Sequence, residues 1–540
     1  MTILLASSVI SFCGIFLLVL RLRNVGRRPT SAPPGPPTVP ILGNLHQLPK
    51  RGIHYTFQKW AKQYGPIYSV MLGTNMTILI NKAEVAKELL EKRSTIWSNR
   101  PELYMAMDVM GSQLRFNLMP YGPQWRMVRR ISHSALGVEQ AKSLVPYQDI
   151  ESKCLLRGFL DAPEDFVDHI HRYANSVINQ ICWGFRSARH DDPRLIQVYE
   201  KVSKQSALVS SAPGPLLDCY PLLRHLPDFL NPTRKKGAEL HAMEKKLYIS
   251  RYNDLKAKVK AGKPMSSFCE ALVKAQETEG FGDDLAAYIA GNFIEAGSET
   301  VSTTLLAFVQ AMILYPEVQA RAHEVLDSVC GDERMPTIED GPRLQYIRAC
   351  QKEILRWWPN LTQGVPRATS KDDVFMGYHI PANTQVFVNT WSLHMDPDRY
   401  PNPEVFDPMR YEDDYQSALE AANNPDVSKR DSFAFGAGRR ICPGIHVSER
   451  TLFYAISRLL WAYRIEPADP GQLPIQHSFP DGFVAIPDPF QARLVPRSEE
   501  RVRIIKQDWE SCRQYLDDEG QWKVAPQKLK RSAFKFEGGA

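Results

Sequence analysis

Cys442 is the residue in this chain best placed to do chemistry. It stands in the run Phe435-Gly436-Ala437-Gly438-Arg439-Arg440-Ile441-Cys442-Pro443-Gly444, a glycine-rich loop leading into the apolar stretch 445–463. A helix over that stretch offers free N–H groups and a positive end to a thiolate. This places Cys442 on the first helical turn, with Pro443 near the first helical position, where its missing N–H costs nothing. Glycines at 436, 438 and 444 let the loop press its backbone against a flat partner, and Arg440 offers a cation to a carboxylate. Two competing readings lose on spacing. A dinucleotide loop needs a third glycine where Ile441 stands, and a zinc site built on Cys442 and His446 has no second pair of ligands. Cys442 is left as a candidate metal-ligating thiolate, with a buried structural cysteine as the bland alternative.

Three further groupings carry charge or a hydroxyl at helical spacing. Glu353 and Arg356 are three apart on an amphipathic run ending at Trp357-Trp358-Pro359, so they share a face and can pair. Such pairs are usually solvated salt bridges; a further arginine, Arg410, follows about fifty residues later in Asp407-Pro408-Met409-Arg410-Tyr411. Ala296-Gly297-Ser298-Glu299-Thr300 sits in the middle of a long helix expected over 284–316. There Gly297 removes a side chain where something approaches the backbone, and Thr300 can bond the Ala296 carbonyl and open the helix locally. With Glu299 beside it, Thr300 reads as a proton relay rather than a simple helix bend. Trp125 and Arg129, four apart, share a third helical face.

Together these motifs resemble the cytochrome P-450 family. The loop matches its haem signature F-x-x-G-x-R-x-C-x-G at every fixed position, residues 296–300 match A-G-x-[D/E]-T, and residues 125–129 match W-x-x-x-R. Residues 407–411 are similar to the P-E-R-F segment but carry Met409 and Tyr411. The resemblance, running from about residue 32 to about residue 500, implies haem b (iron protoporphyrin IX) as cofactor, with Cys442 the axial thiolate and Phe435 packed on its sulfur. Gly436 and Ala296 would border the haem, and Arg440, Trp125, Arg129 and Arg367 would lie at its propionates. Glu353, Arg356 and Arg410 would form a buried network behind the loop. Thr300 and Glu299 would deliver protons during oxygen activation.

Positioning such a site requires a large helical body. The expected fold is mainly α with a small β-sheet subdomain (α+β), a cytochrome P-450 fold preceded by one transmembrane helix. Strand signals occur at 67–72 and 77–80, separated by Gly-Thr-Asn-Met, and again at 385–389. The chain divides into an anchor with basic flank (1–28), a proline-rich hinge (29–48), one catalytic domain (49–500) and a charged extension (501–540). Residues 3–20 carry no charge and are followed by Arg21, Arg23, Arg27 and Arg28, which keeps that flank cytosolic. Nine cysteines without framework spacing fit free thiols in a reducing compartment, and a net charge of +6 without a basic stripe gives no case for nucleic acid.

The resulting expectation is an endoplasmic-reticulum-anchored monooxygenase, most like fungal microsomal members, that inserts one atom of dioxygen into a hydrophobic small molecule of secondary metabolism. No phosphate-cradling loop is present for NADPH, so electrons must come from a partner. The resemblance implies NADPH–cytochrome reductase, with cytochrome b5 as a second donor, docking near Arg130, Lys429, Arg430 and Arg439. Family position places the substrate pocket at 104–116, 205–220, 290–296, 361–365 and 482–484, largely apolar with Gln363 its polar member. Two alternatives stand: a same-fold enzyme that rearranges or dehydrates without dioxygen, and a haem sensor or ligand carrier without turnover.

Overall fold

The computed structural model describes residues 22–210, 213–262, 267–480 and 482–524. The apolar run expected to anchor the chain lies outside them. Among the described residues no single helix is long and apolar enough to cross a membrane.

Helices dominate, and the longer ones have legible ends. Helix α1 (Pro123–Leu136) starts with proline at its first position and buries Trp125, Val128, Ile131 and Leu136 on one face. Helix α2 (Val145–Asp161) packs against α3 (Phe166–Trp183), which stops at Gly184 in the left-handed conformation (φ +75°). Helices α4 (Pro193–Ser210) and α5 (Pro232–Lys260) pack against each other. Helix α6 (Asp283–Leu314) opens on two acids that suit its positive end and closes before Tyr315-Pro316, where a proline disfavours helix in the preceding residue. It is 32 residues long, roughly 48 Å, and packs on α3 and α5. Its side chains are buried almost throughout, except at 295–297 and 299–300, where one wall faces a cavity. Helices α7 (Gln345–Trp357) and α8 (Ile445–Ala462) lie beside it and share its core.

The main sheet has four strands in the order β1-β2-β6-β3. Strands β1 (Ile67–Leu72) and β2 (Asn75–Ile80) form an antiparallel hairpin closed by Gly73-Thr74, with Gly73 at φ +60°. The second strand therefore starts two residues before the expected position, because a two-residue turn already brings Leu72 opposite Asn75. Strand β6 (Gln385–Val388) runs parallel to β2, pairing Val386 with Ile78, and β3 (Arg367–Ala368) is antiparallel to β6. Two small hairpins complete the β structure of the described residues: β4 (Asp373–Phe375) with β5 (Tyr378–Ile380), and β7 (Tyr463–Pro467) with β8 (Ala492–Pro496).

Beyond residue 500 the chain is more ordered than its weak periodicity implied. Helix α9 (Glu499–Arg513) packs on α2, and its buried set, Arg501, Ile504, Ile505 and Cys512, includes a charge that disguises the apolar stripe. Further on, Arg186 Nη1 donates to the Gly520 carbonyl at 2.7 Å, Gln521 bonds the Arg186 backbone, and Trp522 Nε1 donates to Gln180 at 2.6 Å. Arg186 and Gln180 also hold the buried carboxylate of Glu151 on α2.

Candidate active site

Cys442 lies in the loop before α8, not on its first turn: Gly444 is the N-cap and Ile445 the first helical residue. The helix end still reaches the sulfur. The Gly444 N–H and the charge of Arg129 favour the thiolate, while burial pushes the thiol up. The loop is held by its own backbone, with Cys442 N–H donating to the Phe435 carbonyl at 2.9 Å and Gly436 N–H to Phe433 at 2.9 Å. Its glycines serve different ends. Gly436 needs its φ of +72°, whereas a Cβ on Gly438 would stand 2.1 Å from the Leu90 carbonyl, so the close approach there is to the protein itself.

Behind the loop, Arg356 grips Glu353 with two bonds of 2.7 Å, and both side chains are fully buried. The Asp407 N–H gives the same carboxylate a third bond at 2.9 Å. Arg410 approaches less closely: its Nε is 3.5 Å from Glu353 Oε1 and its Nη2 bonds the Asn402 carbonyl. A link that the sequence did not reveal is His394. Its Nδ1 faces the Arg356 carbonyl at 3.0 Å and its Nε2 accepts the Phe433 N–H at 2.8 Å, a pattern that requires a neutral ring with the proton on Nδ1. Burial and the Arg356 charge push its pKa down to about 3, so the ring stays neutral at working pH. Through it the Glu353–Arg356 pair is bonded directly to the cysteine loop.

On the cavity side of the loop the charges are all of one sign. Arg440 bonds the Ser98 and Met119 carbonyls and lies over the Trp125 ring at 4.2 Å, leaving Nη1 buried without a partner. Arg367, positioned by β3, donates Nη2 to the Ala437 carbonyl at 2.7 Å and likewise leaves Nη1 orphaned. Arg100 joins them through the Asn117, Val365 and Pro366 carbonyls, and Arg129 comes from α1. Among the described residues none of these four is ion-paired. Burial, then mutual repulsion, pushes Arg440 down to about 9, and burial pushes Arg367 down to about 10. No spacing in the sequence marks Arg100, which reaches the group only because 99 pairs with 368 beside β3.

Facing the loop across a cavity of about 2060 Å³ are Ala296, Glu299 and Thr300 of α6. Thr300 Oγ1 donates to the Ala296 carbonyl at 2.6 Å, as expected. Gly297 does admit a close neighbour: a Cβ there would meet Ile178 of α3 at 2.8 Å, so what approaches is another helix. Burial, with Glu295 adding to it, raises the Glu299 carboxyl to about 7.

All five expected segments contribute to the cavity wall, including Phe116, Leu361, Gln363 and Phe483. Two wall residues, Arg115 and Glu295, are backed by a buried polar network. Lys201 of α4 contacts Glu295 and bonds Glu244 at 3.1 Å, Arg115 bonds Glu244 at 2.7 Å and Glu295 at 3.2 Å, and Tyr248 bonds Glu295 at 2.5 Å. These residues come from four separate segments, so no local pattern announces them. One expected docking residue is corrected: Arg430 is buried and ion-paired with Glu91, whereas Arg130, Lys429 and Arg439 are exposed.

The chain belongs to the cytochrome P450 family, whose model matches residues 33–494. It is therefore a monooxygenase, an oxidoreductase that uses molecular oxygen. Among curated relatives it is 44% identical to cytochrome P450 monooxygenase virE of Hypocrea virens over 521 residues, covering 96% of this chain and 94% of that one. It is 42% identical to fogE of Aspergillus ruber over 529 residues (97% and 98% covered) and 42% identical to fsoB of Humicola fuscoatra over 518 residues (96% of each). Family membership implies haem, and the residues present fit it. A thiol stands at one wall of a large cavity, beside two orphaned guanidinium nitrogens and a cluster of unpaired cations that matches the carboxylates of a porphyrin edge.

Proposed function

We propose that this protein is a haem b monooxygenase that inserts one oxygen atom into a hydrophobic small molecule of secondary metabolism, with Cys442 as the axial thiolate. The carrying observation is the opposition of the Cys442 loop and the Glu299–Thr300 pair across one cavity, with unpaired arginines at its side. When bound, the haem supplies oxygen activation, which thiolate donation favours.

The chain's own residues divide the remaining work. Phe435 would shield the sulfur, and Arg440, Arg367, Arg100 and Arg129 would hold the haem by its carboxylates. Trp125 holds Arg440 over its ring. The apolar wall at Phe116, Leu361 and Phe483 excludes water and orients the substrate. Thr300 Oγ1, whose hydrogen rests on the Ala296 carbonyl, presents its free acceptor side to the cavity, where it can take up a hydrogen bond or proton. Glu299, with a pKa of about 7, exchanges protons near working pH and resupplies that hydroxyl.

Electrons come from NADPH–cytochrome reductase, or from cytochrome b5 as a second donor, at the exposed Arg130, Lys429 and Arg439. An N-terminal anchor, residues 1–28, holds the protein on the cytosolic face of the endoplasmic reticulum; removing it should release much of the protein from membranes with haem retained. The function is tested by supplying holoenzyme with NADPH, the reductase, isotope-labelled dioxygen and an extract of cells lacking the protein. New products each carrying a single labelled oxygen are expected. Products formed without label, or formed equally without NADPH, would contradict the proposal.

A further inference from the structure

Asn360 belongs to none of the motifs above. It stands between α7 and β3, and its Nδ2 donates to the Thr300 carbonyl at 2.9 Å and to the Thr304 hydroxyl at 2.8 Å. Thr304 Oγ1 in turn donates to the same Thr300 carbonyl at 2.8 Å. The protons balance: the amide uses both of its hydrogens, and the hydroxyl gives its single hydrogen while accepting one. A flipped Asn360 would set its oxygen against a carbonyl that can only accept, so the chemistry fixes the amide orientation.

Thr300 is thereby held on two sides. Its hydroxyl is on the Ala296 carbonyl, and its own carbonyl takes two side-chain donors. Asn360 is itself fixed by the far wall of the cavity. Its carbonyl accepts the Ala485 N–H at 2.8 Å, and neighbouring Trp358 donates Nε1 to the Ala485 carbonyl at 2.7 Å. Val484, the next residue, lines the cavity. A continuous run of bonds thus leads from the wall at 484–485 through Asn360 to the peptide that carries Thr300.

Stability gives no reason for an asparagine here. Its Oδ1 is buried with no partner, which is a cost, and the Thr300 carbonyl would still have the Thr304 hydroxyl if Asn360 were apolar. We infer that Asn360 is a positioning residue: it sets the angle at which the Thr300 hydroxyl meets the cavity and couples that angle to the substrate wall. This inference rests on the proton-handling reading of Thr300.

The test uses the full-length holoenzyme with carbon monoxide as probe of the cavity beside Thr300, its infrared stretch serving as readout. Thr300→Ala, which deletes the hydroxyl, should move the band. Asn360→Ala and Asn360→Asp should move or split it, while adding Asn360→Ala to Thr300→Ala should change nothing further. Independently of the haem, amides across 300–308 should exchange with deuterium about two- to tenfold faster in Asn360→Ala, the effect expected from losing its bond to the helix carbonyl of Thr300. The melting temperature should move by no more than about 2 °C. An unmoved band in Thr300→Ala overturns both the reading of Thr300 and this inference. A moved band in Thr300→Ala with wild-type band and exchange in Asn360→Ala overturns this inference alone, as does a full additive shift in the double variant.

Discussion

The two walls of the cavity manage charge in opposite ways. Behind Cys442, every charged group has a fixed partner: Glu353 is gripped by Arg356 and the Asp407 N–H, and His394 is held neutral between two backbone groups. On α6, Glu299 has burial without a bonded cation, and its carboxyl titrates near neutrality. Behind the loop the buried acid Glu353 is paired with a cation, and on α6 a buried acid is left without one.

The largest effect should follow from removing the reactive group of the fixed wall. Cys442→Ser should abolish the thiolate spectrum of the reduced carbon-monoxide complex and essentially all turnover, because a neutral hydroxyl does not replace thiolate donation. A variant with a wild-type spectrum and rate would remove Cys442 from the site. On the other wall, Thr300→Ala should leave haem and substrate binding intact while product per NADPH falls and peroxide rises. Loss of such a relay costs about 10²–10⁴-fold. Wild-type coupling in this variant would reduce Thr300 to a helix bend.

Within the fixed wall the geometry ranks the members. Glu353→Ala should cost about 3–5 kcal/mol, since it leaves the buried Arg356 charge unpaired. Arg410→Ala should cost less, because Arg410 lies 3.5 Å from the acid without a hydrogen bond to it. Denaturant midpoints and the yield of haem-loaded protein measure both, and equal losses would show that the network is one unit. His394→Leu should cost about 1–3 kcal/mol by orphaning the Phe433 N–H.

The smallest effect is one of pH. The Glu299 carboxyl is raised from 4.5 to about 7 by burial and by Glu295, with Lys201 opposing. In the unfolded chain it ionises near its ordinary value, so unfolding releases a proton in between. The stability it contributes is complete below about 4.5 and is lost as pH rises through about 7. Glu299→Gln should therefore melt progressively higher relative to wild type as pH rises across that window, and should flatten the alkaline limb of the coupling profile. A constant difference in melting temperature across the window would refute the shift.

What could be read in the sequence was what is local. The Cys442 loop, the Glu353–Arg356 pair and the Glu299–Thr300 pair each lie within one element, where spacing fixes the geometry. The long helix was expected at 284–316 and runs Asp283–Leu314. His394, Arg100 and Asn360 act across gaps of 38, 265 and 60 residues, distances at which sequence spacing carries no directional information. The position of Cys442 was misread by a few residues because Pro443 and Gly444 suit both a helix start and the loop before one. Arg430 was misread because charge suggests surface, and only the fold places Glu91 against it.

The fastening of residues 520–522 to Arg186 and Gln180 also governs the order of events during synthesis. Those partners leave the ribosome some 335 residues apart, which at about 5–20 residues per second is roughly 17–67 s. For that interval Trp522 and the Gly520 carbonyl are absent, and Arg186 and Gln180 must hold Glu151 without them. The bonding around Glu151, between α2 and α3, is thus completed only once residues 520–522 have been made.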